Sequence, residues 1–291
     1  MKRIGITGVS GYVGRELAKV CVEAGHEVVG FSRSPNRQLP NVAELRGNDF
    51  DLSGLDVVVN LSGEPLFQLW TPKKRKLFEE SRAGLTSKLV EKLASEGGPK
   101  VLVSASGIGI YGDCGDEELT ESSANGAGAI AEIAKNWEAA ALKAEEHDVR
   151  VVRARIAMVL GPNGGPAQVL RKVFSLGLGG RLGSGQQWVS WIALDDLVRQ
   201  LLAAAESESI SGPVNCCSPN PVRNIEMTRL LGKLLNRPTI LPAPSFAVKT
   251  MLPGMQEMLL CSQRAKSTVW EAHGFDWSHE TMETALKASF M

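Results

Sequence analysis

Two apolar periodicities alternate along this chain. A short apolar run at residues 3–9 leads directly into residues 11–24, where Val13, Leu17, Val20, Cys21 and Ala24 recur at helical spacing. That order predicts a strand, a tight turn and a helix. Glu27–Phe31 reads as a second strand and residues 56–61 as a buried third. A long helix begins at Thr71-Pro72, with Thr71 as its N-cap and proline at the first helical position, and stops before Gly97-Gly98-Pro99. Residues 100–104 form the next strand. A polar, Gly-rich loop follows, then a helix over 129–146 and a strand over Arg150–Ile156 that ends near Gly161-Pro162.

The second half is less regular. Gly164-Gly165-Pro166 and residues 177–185 read as loop. Over residues 188–192, Trp188 and Trp191 alternate with Val189 and Ile192, a pattern that suits either the core or stacking on a substrate. Asp195 reads as the cap of a helix carrying Leu197, Val198, Leu201 and Leu202. A short strand from about residue 213 and helices at 225–235, 246–252 and 281–289 complete the chain. Strands alternating with helices predict an α/β fold, a doubly wound parallel sheet covered on both faces.

Candidate chemistry starts at the first turn, Thr7-Gly8-Val9-Ser10-Gly11-Tyr12-Val13-Gly14. In a dinucleotide fingerprint the first glycine makes the tight turn, the second clears space for a pyrophosphate, and the third lets the helix pack close. The helix N-terminus adds free N–H groups and partial positive charge for an anion. Thr7, Ser10, Tyr12 and Val13 join Gly8, Gly11 and Gly14 as expected cofactor contacts. The second strand ends Gly30-Phe31-Ser32-Arg33 with no carboxylate at its tip. Arg33 can fork onto a 2′-phosphate, with Ser32 or Ser34 as a further donor, so NADP(H) is expected over NAD(H). Residues 1–161 are the expected dinucleotide-binding domain of Rossmann type, with 191–214 returning to it. Residues 162–190 and 215–291 are the expected substrate lobe.

Charge narrows the classes of partner. The 291 residues carry 32 Lys and Arg against 32 Asp and Glu, so nothing favours nucleic acid or an anionic membrane. Lys73 to Lys76 share their helix with Glu79 and Glu80 and read as a solvated face. No apolar run is long enough to span a bilayer. The first strand begins two residues after Met1, so the expected compartment is the cytoplasm. Cys21, Cys114, Cys216, Cys217 and Cys261 are odd in number and lack metal spacing, as do the four histidines. Reduced thiols and no metal site are expected. The expected assembly is a monomer or homodimer with a small-molecule substrate.

Several motifs together resemble the extended short-chain dehydrogenase/reductases. They are the glycine turn, Asn60-Leu61-Ser62-Gly63, Ser104-Ala105-Ser106 with Tyr111-Gly112, Arg155 with Gly161-Pro162, and Gly183-Ser184-Gly185 with Asp195-Asp196-Leu197. More narrowly, the chain is similar to the epimerase family protein branch of the atypical members, on Glu64-Pro65, Trp70-Thr71, Ser81-Arg82, residues 159–165 and 176–180, and Asn215 with Pro219-Asn220-Pro221. Relatives in that branch are named nucleoside-diphosphate-sugar epimerases or, by older labels, cell-division inhibitors. The resemblance implies an NADP(H)-dependent oxidoreductase or epimerase-like enzyme. Leu61, Ser62, Gly63, Glu64, Arg82 and Ser104 are then further cofactor contacts.

One departure stands out. Reductases of the superfamily use a Tyr followed four residues later by a Lys, yet Tyr12 is followed by Glu16 and Tyr111 by Gly115. Aligning on Trp137-Glu138 puts Ile130 in the tyrosine slot and Ala134 in the lysine slot. Lys135 is one residue off and points about 100° around the helix. Ser106 and Tyr111 are left as hydroxyl candidates for catalysis, with a packing role for Tyr111 equally open. Arg155, Trp188, Trp191 and Asn215 are candidate substrate contacts. The alternative function is a non-catalytic NADP(H)-binding module that senses redox state or scaffolds a partner, possible links to division included.

Overall fold

A computed structural model describes residues 1–94 and 98–290. The central sheet has seven parallel strands. Five are β1 (Arg3–Thr7), β2 (Glu27–Phe31), β3 (Glu44–Arg46), β4 (Val57–Asn60) and β5 (Val101–Gly107). Arg150–Ile156 and Gly212–Cys216 extend the sheet beyond β5. Across the sheet the order is β3-β2-β1-β4-β5, then Arg150–Ile156, then Gly212–Cys216. The order in which strands are added therefore reverses between β1 and β4, the switch point at which open α/β sheets take ligands. Val57, Val58 and Val59 are buried throughout, as expected for a strand covered on both faces.

Helix α1 (Tyr12–Glu23) buries Leu17, Ala18 and Cys21 against β1 and the helix Leu194–Glu206. Thr71 caps α2 (Pro72–Glu79) by accepting from the Lys74 N–H at 3.2 Å, with Pro72 at the first position. The single long helix expected here is interrupted. A π turn, Glu80–Gly84, separates α2 from α3 (Leu85–Leu93). Of the expected stop signal, Gly97 lies outside the described residues. Packed against these helices, α4 (Ala129–Leu142) ends in a 3-10 turn at Lys143–His147.

Ala167, Phe174, Met227, Leu231, Met282 and Leu286, from the segments expected to form the substrate lobe, share an apolar cluster with Leu160, Trp191 and Ala193. Gly164-Gly165-Pro166, expected as loop, instead opens a helix, Gly165–Ser175, with Pro166 in its first turn, where its missing N–H costs nothing. Asp195 is not a cap. The helix Leu194–Glu206 starts after Ala193, and Asp195 is an exposed acid in its first turn. The C-terminal segment serves two cores: Trp270 packs into the main sheet cluster, whereas Met282, Ala285 and Leu286 pack with Ala167, Phe174 and Trp191.

Candidate functional site

At the end of β1, Gly8 adopts φ +66°, and a Cβ there would lie 2.9 Å from the Leu61 carbonyl oxygen. A side chain would be both strained and obstructed. A Cβ on Gly14 would collide with the Gly8 carbonyl, so close packing of α1 on the turn also needs glycine. Gly11 is the extended N-cap residue of α1. Its N–H donates to the Gly8 carbonyl at 2.8 Å, no side chain caps the helix, and no acid occupies the first turn. The amide end of α1 thus stays open beside exposed Ser10 and Gly11, as an anion site requires.

A buried polar chain fixes the other wall. The Thr7 hydroxyl donates to Asn60 Oδ1 at 2.7 Å and accepts from the N–H groups of Leu61 and Ser62. Asn60 Nδ2 donates to Thr86 Oγ1 at 2.8 Å and reaches the Ser104 hydroxyl at 3.4 Å. Trp137 Nε1 donates to the same Thr86 oxygen. Thr7 and Ser104 were expected to touch the cofactor. Both are 1% exposed, so their side chains shape the Leu61-Ser62-Gly63 wall from below.

The tip of β2 carries half-buried Ser32 and exposed Arg33, and the Ser32 hydroxyl accepts from the Ser34 N–H at 3.1 Å. Glu64, across from it, is held below the usual carboxylate range by hydrogen bonds from Lys74 and Gln68, with Arg33 contributing at longer reach. Arg82 lies on the π turn against Gly63 and over Trp137. Tyr12 packs its ring against Gly164 and Gly165, and its hydroxyl is buried without a partner among the described residues. Burial, Asp195 and Glu16 push that phenol up to about 12.

The hydroxyls expected to do chemistry are already engaged. Ser106 Oγ donates to Glu138 Oε1 at 2.8 Å. Arg155 grips the same carboxylate through Nε at 2.9 Å and Nη2 at 3.0 Å, and Arg153 adds a contact at 3.1 Å. The Tyr111 hydroxyl lies 2.7 Å from Asn215 Oδ1 and 2.9 Å from the Thr120 carbonyl, and accepts from Arg155 Nη1 at 2.9 Å. Burial foremost pushes the Tyr111 phenol up, against the opposing effect of Arg155. Tyr111 is 1% exposed, Asn215 is fully enclosed and Arg155 is 4% exposed. The geometry therefore makes these three an internal brace, and no proton donor or substrate contact is presented by them.

Trp191 is likewise a core residue, fully buried with its indole N–H on the Asn220 carbonyl at 2.9 Å. Trp188 is half-buried beneath the guanidinium groups of Arg223, at 4.0 Å, and Arg264, at 4.9 Å, with Asp116 on its indole N–H. Neither arginine was anticipated, because both come from distant segments. Glu138 could have been. It follows Ile130 and Ala134 at four-residue steps, on the face that carries the two empty catalytic slots. Among the described residues no group of three His, Cys, Asp or Glu could hold a metal ion.

The sequence from residue 4 to 217 matches the NAD dependent epimerase/dehydratase family. The chain belongs to that family. Residues 243–289, beyond the last strand of the central sheet, match a domain of unknown function, DUF1731. The chain is 36% identical to the chloroplastic SDR39U1 homolog of Arabidopsis thaliana, an epimerase family protein, over 98% of this chain and 86% of that one. It superposes on the human epimerase family protein SDR39U1 (isoform 2), a structure with NADPH, with a TM-score of 0.88 and 29% identity over 98% of each chain. A nucleoside-diphosphate sugar epimerase structure from Corynebacterium glutamicum gives 0.81 at 32% identity, over 99% of this chain and 58% of that one. No described helix of this family member is long and apolar enough to cross a membrane.

Proposed function

We propose that this epimerase family member binds NADP(H) at the switch point and performs oxidoreductase or epimerase-type chemistry on a small polar substrate under the lobe. One observation carries the reading: an uncapped, acid-free helix N-terminus beside a strand tip that offers Arg33 and no carboxylate. The NADPH of the human structure agrees with it. When bound, NADP(H) supplies or accepts a hydride at its nicotinamide. The amides of α1 and the Leu61-Ser62-Gly63 wall would hold the dinucleotide, and Arg33 with Ser32 its 2′-phosphate. Ser106 remains the hydroxyl candidate, acting only if it yields its bond to Glu138.

The second reading, a non-catalytic NADP(H)-binding module, is favoured by the same engagement of Ser106 and Tyr111 and by Ile130 and Ala134 in the catalytic slots. Calorimetric titration tests the common part. NADPH should bind at least tenfold tighter than NADH, a difference of about 1.4 kcal/mol, and Arg33→Ala should erase the preference. Gly11→Val should abolish binding of both, whereas equal affinities in the wild type would reject the assignment. A screen of carbonyl compounds and nucleotide sugars separates the two readings. Turnover that falls about 10²-fold or more in Ser106→Ala, with NADPH affinity kept, supports the enzyme. No turnover with tight NADPH binding supports the module.

A further inference from the structure

The catalytic slots of α4 are empty, but a carboxylate stands at their end of the helix. Gly128, the N-cap residue of α4, has no side chain to offer the helix amides. The cap comes instead from Gln256–Leu260, a short helix within the segment that matches DUF1731. Glu257 Oε2 accepts from the Ile130 N–H at 3.0 Å, and a Cβ on Gly128 would lie 2.8 Å from that oxygen. Ile130 is the residue in the tyrosine slot. Its side chain meets the exit of β5, where a Cβ on Gly109 would lie 2.3 Å from Ile130 Cγ2. Two contacts pin the strap that brings Glu257 in: Gly254 lies against Trp70, and Met255 is buried with Trp70, Phe78 and Ile133. The exit of β5 and the start of α4 lie beyond the C-terminal ends of the strands, where open α/β sheets take ligands.

The carboxylate is only half used. It is half-buried, and among the described residues Oε1 takes no hydrogen bond and the group forms no ion pair. Oε1 is not enclosed, so a ligand can reach it. Glu138 and Glu64, by contrast, are tied to Arg155 and Lys74, and Glu132 in the first turn of α4 is tied to Lys135. We propose that Glu257 is the general base of this protein, in the role that the family gives to the tyrosine. The proposal rests on the NADP(H) enzyme reading and deepens it, naming secondary alcohols and their carbonyl products as the substrate class. Glu257 takes the hydroxyl proton of the alcohol as the carbon gives its hydride to the nicotinamide of NADP⁺. A carbonyl, NADPH and protonated Glu257 result, and reduction reverses both transfers. The joint absence of tyrosine at 130 and lysine at 134 then has one reason. A phenol needs a nearby cation to act as a base at neutral pH, and a carboxylate does not.

The experiment labels carboxylates with a water-soluble carbodiimide and glycine ethyl ester, and reads Glu257 by peptide mass spectrometry. Three samples are compared: the free protein, the NADPH complex and the complex with adenosine 2′,5′-bisphosphate, which lacks the nicotinamide. With each ligand set by calorimetry at about ten times its Kd, labelling of Glu257 should fall about tenfold with NADPH, in step with the free protein that remains, and hardly at all with the bisphosphate. Equal labelling in all three, or equal protection by both ligands, puts Glu257 away from the nicotinamide and overturns the proposal while the cofactor reading stands. No binding of NADPH ends that reading, and the proposal with it. Glu257→Gln keeps an acceptor oxygen for the Ile130 N–H, so it should fold and bind NADPH as wild type does. On the secondary alcohols and nucleotide sugars that wild type oxidises with NADP⁺, its kcat should fall about 10²–10⁴-fold. An unchanged kcat would also overturn the proposal.

Discussion

Arg82 and Arg155 make an instructive pair. Each is buried, and each stacks on an aromatic ring, Arg82 at 5.2 Å from Trp137 and Arg155 at 5.1 Å from Tyr111. Arg155 meets both oxygens of Glu138 and braces Tyr111, so its charge is answered within the protein, and Glu138 more than offsets the effect of burial to hold its pKa above the usual range. Arg82 meets a carbonyl and a distant hydroxyl, and its pKa falls. Burial alone does not set the pKa of a guanidinium. The supply of counter-charge does. On that criterion the Glu138–Arg155–Tyr111–Asn215 cluster is satisfied within the protein, although its motif residues suggested chemistry, and the π turn holds the less answered charge.

The largest effect should come from removing the counter-charge where it exists. Glu138→Ala leaves Arg155 charged and alone, a loss of about 3–5 kcal/mol by analogy with other broken buried pairs. Urea unfolding would read it directly. Arg82→Met should show no comparable loss, and equal losses in the two variants would erase the distinction. Next comes Tyr111→Phe. It keeps the ring under Arg155 but strips partners from Asn215 Oδ1 and Arg155 Nη1, for about 1–3 kcal/mol. NADPH affinity should not move, because the hydroxyl is enclosed within the brace. A variant of wild-type stability with weakened NADPH binding would return Tyr111 to the site.

The legible part of this molecule is its local part. Strand, glycine turn and helix at residues 3–23 are written in consecutive residues, and so is the Thr71-Pro72 helix start. Gly164-Gly165-Pro166 misled because glycines argue for a loop, while proline just inside a helix argues for a start. The three residues of β3 sit at the sheet edge and include Glu44 and Arg46, with too little apolar pattern to register. At the site, the glycine cradle could be read and the state of the arginines could not. Arg155 pairs with Glu138 seventeen residues away, across a helix and a strand, and only the assembled sheet brings them together. No sequence rule announced the π turn that buries Arg82.

The smallest effect sharpens the comparison through pH. Glu121 belongs to the paired side. Burial opposes its ionisation, but hydrogen bonds from the Asn215 N–H, the Ser267 hydroxyl and Thr268 outweigh it and hold the carboxyl below its usual range. A depressed folded pKa means that the stabilisation is complete above the unfolded value of about 4.3 and fades as pH falls through the folded value. Unfolding free energy should therefore drop as pH is lowered below about 4.3, and the drop should be shallower in Glu121→Gln, which titrates nothing at this position. Glu64, beside Arg82, is also depressed, chiefly by Lys74, but it is close to solvent and its share should be minor. A Glu64→Gln variant should leave the acid slope nearly as it is in wild type. If Glu64→Gln flattened the slope more than Glu121→Gln, the exposed Glu64–Lys74 pair would be held more tightly than the enclosed Glu121, and burial would have to be dropped as the measure of such a contribution.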